Sequence, residues 1–90
     1  MRAANHRIQF GARLRELRKA AGWSSQEDFA HHAGLDRTYV SGIERGVRNP
    51  TLDVMMRLAV ALDVAPAELM VGVDAGDVVE AADEARQQGE

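Results

Sequence analysis

Between Gln26 and Ile43 the chain reads QEDFAHHAGLDRTYVSGI, and no other stretch constrains the fold as much. Counted from Gln26, small Ala30 stands at the fifth place, Gly34 at the ninth, and apolar Val40 and Ile43 at the fifteenth and eighteenth. Gly34 permits the positive φ that a tight turn needs. It therefore separates a short helix ending near Ala33 from a second one, for which Asp36 is the N-cap. Ala30 is small where the second helix crosses close over the first, and Val40 and Ile43 turn the second helix inward. Each position is a weak signal alone. Together they specify two short helices joined at a fixed angle.

The rest of the chain supplies helices to pack around this pair and no convincing strand. Phe10, Leu14, Leu17 and Ala21 recur on one helical face, and Gly22 ends that helix. Ser24 or Ser25 caps the next one, whose first turn holds Gln26, Glu27 and Asp28, where negative charge suits the helix dipole. Gly46 stops the third helix, Asn49 and Pro50 form a turn, and Thr51 caps a fourth helix with Asp53 in its first turn. Leu52, Met55, Ala59 and Leu62 make the expected buried stripe of that helix, with Leu58 alongside. A fifth begins around Pro66 and runs to about Val71. The reading is all-α: a compact five-helix unit over residues 1–73, then an acidic, alanine-rich segment over residues 74–90. That segment is compatible with a sixth helix or a frayed tail.

Charge is unevenly divided. Residues 1–50 carry nine Arg and Lys against five Asp and Glu, a balance of +4, and residues 51–90 carry two against nine, a balance of −7, within a net charge of −3. A basic half beside an acidic half suggests one face for a polyanion and another that repels it. The absence of cysteine excludes disulfides, thiolate metal sites and cysteine nucleophiles. His31 and His32 are adjacent on a helix with no acidic or cysteine ligand pattern, so solvated histidines are expected rather than metal ligands. Ser24, Ser25 and Ser41 have no histidine in a triad arrangement and read as caps and hydrogen-bonding groups. Met55, Met56 and Met70 read as core and interface filler. No catalytic site, metal or cofactor is implied, so no enzyme is expected. No apolar run is long enough to span a membrane and MRAANHRIQF lacks a secretory core, which implies a cytoplasmic protein.

Through LRELRKAAGWSSQEDFAHHAGLDRTYVSGIERGVRNPTLDVMMRLAVALDVAPAELM, above all in SQEDFA, RTYVSGIERG and RNPTL, the chain resembles the Cro and phage-repressor (XRE-like) type of helix-turn-helix DNA-binding domain, a five-helix fold. The match runs from about Phe10 to Val71. The RTYVSGIERG wording is also similar to that of the controller proteins of restriction-modification systems, which are little more than this domain in dimeric form. WSSQ carries one serine more than the commoner arrangement, which lengthens the loop between the first two helices.

The resemblance implies that the third helix, about residues 37–45, enters the major groove with Arg37, Thr38 and Ser41 at base edges. Arg37, Ser41 and Arg45 share one face, opposite Val40, Ile43 and Glu44. A bidentate arginine on guanine discriminates by about 1–3 kcal/mol. Gly42 stands where relatives often carry a long base-reading side chain, which implies narrower direct readout and more reliance on DNA shape. Gln26 corresponds to a phosphate-gripping glutamine, and Tyr39, Arg45, Arg48 and Asn49 are the other phosphate candidates; for Tyr39, covering the core edge remains an open alternative. Arg18 and Glu44 match positions of a buried ion pair joining the first helix to the third. One short recognition helix reads few base pairs, so a homodimer on two-fold symmetric double-stranded DNA is expected. Val64, Leu69, Val71 and Val73 are the expected interface, since relatives use the fifth helix. The expected function is a sequence-specific transcriptional regulator. The second reading is an antitoxin or adaptor whose acidic segment, residues 74–90, binds a protein partner.

Overall fold

The computed structural model describes residues 5–76, which form helices α1 (Asn5–Ala20), α2 (Gln26–Ala33), α3 (Arg37–Glu44) and α4 (Leu52–Leu62), followed by a 3-10 helix, Pro66–Met70. No strand occurs among the described residues. The expected fifth helix is this single 3-10 segment, begun by Pro66 and too short to close a second turn of α-helix. A sixth helix or tail over residues 77–90 lies outside the described residues.

Local chemistry sets the helix starts. Ser25 Oγ accepts from Asp28 N at 3.1 Å, Asp36 Oδ1 from Thr38 N at 2.8 Å, and Thr51 Oγ1 from Val54 N at 3.1 Å, so three of the orphan N–H groups of α2, α3 and α4 are satisfied by side chains. Gly34, at φ +72°, ends α2 in the left-handed conformation, and its N–H returns to the last carbonyls of the helix. α4 ends the same way at Asp63, a residue type that tolerates φ 56° better than most.

α1 packs on α3 and the 3-10 helix, α2 on α3 and α4, and α4 closes against the 3-10 helix. The core between them is Leu14, Phe29, Val40, Ile43, Leu58 and Leu69, each at most 1% exposed. Burying side chains of this size contributes about 1.5–3 kcal/mol each. Gly11 is buried where α1 crosses α3, and a Cβ there would meet the backbone carbonyls of Ile43 and Glu44. Arg13 fastens α1 to the 3-10 helix, donating from Nε to Glu68 O at 2.7 Å and from Nη2 to Glu68 Oε2 at 3.1 Å. Trp23, in the α1–α2 loop, stacks on His32 at 4.7 Å and meets Phe29 edge-on at 6.2 Å, while His32 Nε2 donates to Ala61 O on α4 at 3.2 Å.

Three expectations are corrected. On α1, the core-facing row continues to Arg18 and leaves Ala21 exposed, because the helix has already ended at Ala20. Leu52, expected in the buried stripe of α4, is 69% exposed: the core side of α4 is centred on Leu58, Ala59 and Leu62, and Leu52 lies about a quarter-turn away, in a first turn that projects past the core. Leu69, expected at a two-fold interface, is fully buried in the protomer's own core and offers nothing to a partner. Val64 and Val73 are half-buried against that core, which leaves Val71 as the exposed member of the set.

Candidate nucleic-acid interface

The seating of α3 decides which side chains face outward. Val40 and Ile43 are buried, so Arg37, Ser41 and Arg45, spaced at four residues, lie along the opposite side, with Arg37 and Arg45 exposed. The Asp36 cap fixes the start of this row. Its carboxyl is held below its ordinary value of 3.8, first by the hydroxyl of Thr38, then by the Thr38 N–H, with smaller help from the Tyr39 N–H and the Arg37 charge. A depressed folded-state value means that this contribution to stability is complete above the ordinary carboxylate range and fades as pH falls through the folded value. Wild-type protein should therefore lose its melting-temperature advantage over Asp36→Asn as pH is taken from about 5 to about 2.5. A constant difference across that range, measured by circular dichroism, would remove the ionised cap from the account.

Thr38 is more committed than its place at the start of α3 implies. Its hydroxyl donates to Asp36 Oδ1, so toward a base it has an acceptor oxygen and a methyl group to offer. Gly42 also differs from the expectation of a gap in the reading face. It is buried, and a Cβ there would meet Arg48 Cγ at 2.5 Å, so the aliphatic stem of Arg48 lies across the position that a side chain would have filled. Arg48 and Asn49 are exposed beyond the end of α3, and Tyr39 is half-buried against the core edge.

Beside the start of α3 an open cleft of about 500 Å³ is bounded by Arg15, Lys19, Ser25, Gln26 and Arg37 and by one acid, Glu27, with Arg18 also in its lining. The N-terminus of α2, with its unsatisfied N–H groups and partial positive charge, opens into it. Gln26 Nε2 donates to Glu44 Oε1 at 2.9 Å, which holds the amide and leaves its second N–H. Glu44 in turn takes Arg18: Nε to Oε2 at 2.7 Å and Nη2 to Oε1 at 3.2 Å, with both side chains 3% exposed. Arg18 Nη1 donates to the carbonyls of Trp23 and Ser24 at 2.6 and 3.0 Å. Four hydrogen bonds from the guanidinium thus tie α1, the loop and α3 together.

Seven of the described cations therefore fall into two groups. Arg13 and Arg18 are paired with carboxylates inside the protomer, whereas Arg15, Lys19, Arg37, Arg45 and Arg48 are exposed or outward-facing and make no ion pair among the described residues. Arg15 and Lys19 are the functional candidates that sequence reasoning missed. They sit four apart on α1 among the polar positions of an amphipathic helix, and nothing local shows that this side of the helix borders the start of α2.

An arrangement of two short helices around Gly34, seated by Val40 and Ile43 with cations on the outer side, matches the family model for the helix-turn-helix, HTH_3, over residues 14–69. The chain belongs to this family. It is 42% identical over 66 residues to the control protein C.BamHI of Bacillus amyloliquefaciens, a match covering 73% of this chain and 82% of that protein. Among solved structures it is similar to the restriction-modification controller protein C.AhdI of Aeromonas hydrophila, with 56% identity, a TM-score of 0.67, and 70% of this chain and 94% of that chain covered. It is also similar to the controller protein C.Esp1396I, seen as a tetramer in complex with its natural 35 base-pair operator, with 32% identity, a TM-score of 0.66, and 73% and 86% covered. No helix among the described residues is long and apolar enough to cross a membrane.

Proposed function

We propose that this helix-turn-helix protein is a sequence-specific DNA-binding transcriptional regulator of the controller type, acting as a homodimer on a two-fold symmetric operator. The observation that carries the reading is the segregation of charge. Five cations without a carboxylate partner among the described residues, Arg15, Lys19, Arg37, Arg45 and Arg48, lie along the outer side of α3 and its end and around the N-terminus of α2, where a polyanion meets both fixed charge and free N–H groups. α3 lies in the major groove. Arg37 reads a base, Ser41 and Thr38 add hydroxyl and methyl contacts, and Gln26, Tyr39, Arg45, Arg48 and Asn49 grip phosphates, joined by Arg15 and Lys19.

Selection of a randomised duplex pool at fixed salt tests this directly. The expected result is an enriched two-fold symmetric site. Arg37→Ala should lose discrimination at one base of each half-site, by about 1–3 kcal/mol. Arg48→Ala should weaken all sequences alike and flatten the salt dependence by about one unit for one phosphate contact. Equal losses on operator and random DNA for Arg37→Ala would strike it from the base-reading set. No enrichment at all would defeat the regulator reading and turn the search to protein partners of residues 74–90.

A further inference from the structure

Neither helix propensity nor backbone conformation accounts for Gly42. It stands within α3, where glycine is a weak helix former, and its φ is not among the positive values that glycine adopts more easily than other residues. It follows Thr38 by four residues and precedes Arg45 by three, so it shares their side of the helix, away from Val40 and Ile43. Thr38 and Arg45 are exposed, yet Gly42 is buried. What covers it is Arg48. A Cβ at position 42 would lie 2.5 Å from Arg48 Cγ, 3.5 Å from Cδ and 3.4 Å from Nε, so the stem passes over the glycine along most of its length. The backbone is tied to the same point, since the N–H groups of Val47 and Arg48 both donate to Gly42 O, at 2.9 and 3.2 Å. Arg48 as a whole remains exposed and makes no ion pair among the described residues, which leaves its charge available.

We infer that Gly42 is a positioning residue for Arg48: the bare backbone at 42 seats the arginine stem against α3, so that the guanidinium meets a DNA phosphate from the outer side of that helix. The inference deepens the proposed DNA-binding function and rests on it. A long side chain on a loop loses rotamer freedom when it grips a ligand. A stem already laid along a helix has given up part of that freedom in the folded protein, so less is lost on binding. Where a gap in the outer side of α3 was expected, a cation from six residues further on fills it. That side of the helix is therefore built from two segments of the chain.

The test compares the full chain with Gly42→Ala, Arg48→Ala and the double variant, by DNA titration over a range of salt and by thermal melting. A methyl group at 42 displaces the arginine stem, whereas alanine favours the helix. Gly42→Ala should therefore bind selected and random duplexes about tenfold more weakly, as loss of one charge-assisted contact does, and flatten the salt dependence by about one unit. Its melting temperature should stay the same or rise. In the Arg48→Ala background the same substitution should cost no further affinity, because the side chain it displaces is already gone. Full affinity and an unchanged salt slope in Gly42→Ala, or losses that add to those of Arg48→Ala, would overturn the positioning role and leave the regulator standing. So would an affinity loss that comes with a lower melting temperature, which assigns Gly42 to packing, or an Arg48→Ala variant that binds like wild type. A wild-type chain that binds no duplex at all would overturn the regulator and this role together.

Discussion

Replacing Arg18 by alanine is expected to cost about 3–5 kcal/mol of unfolding free energy, because it leaves the Glu44 carboxylate buried with its main partner gone. The carbonyls of Trp23 and Ser24 lose their donor as well, so the α1–α2 loop loosens in the same step. A domain of this size has only about 5–15 kcal/mol in total, so the variant should unfold at much lower urea. The double variant Arg18→Met/Glu44→Leu removes both charges and should recover much of the loss, since paired burial of charge contributes less than breaking the pair costs. A loss below about 1 kcal/mol for Arg18→Ala would mean that the pair behaves like a solvated surface bridge, against its 3% exposure.

Gly11→Ala should also destabilise, by about 1–3 kcal/mol or more, although alanine is the better helix former by about 1 kcal/mol. The added Cβ meets backbone carbonyls of α3, one of them 2.5 Å away at Glu44, and backbone cannot swing aside as a flexible side chain can. Relief requires α1 and α3 to separate. Because α3 carries the proposed reading face, operator affinity measured under conditions where the variant is fully folded should fall too. A stabilised Gly11→Ala would show that helix propensity outweighs packing at this crossing, and that the two helices are not in the contact described.

Features governed by nearest neighbours were legible in the sequence. The caps at Asp36 and Thr51, a serine cap on α2 that the structure assigns to Ser25 rather than Ser24, the left-handed turn at Gly34 and the inward pair Val40 and Ile43 all follow from chemistry within four or five residues. Features that depend on which elements meet were not. Leu52 and Leu69 exchange their expected environments, because the apolar character of a leucine does not say whether a neighbouring helix covers it. Arg15 and Lys19 look like ordinary solvated positions until α2 is placed beside them. Gly11 has no local role at all and is explained by a helix distant in sequence. For the proposed site, the sequence supplies the residue types along α3, whereas the commitment of Thr38 to Asp36, of Gln26 to Glu44 and of Arg48 to the space over Gly42 is visible only in the folded chain.

The placement of Trp23 has an optical consequence. It is the single tryptophan of the chain, stacked on an imidazole and linked through its carbonyl to the buried guanidinium beneath the cleft. All indole emission therefore originates at one known point, the joint between α1 and α2, beside the proposed phosphate grip. Unfolding, and titration with the proposed operator, can both be followed from the protein's own light, with no label attached to the face proposed to read DNA.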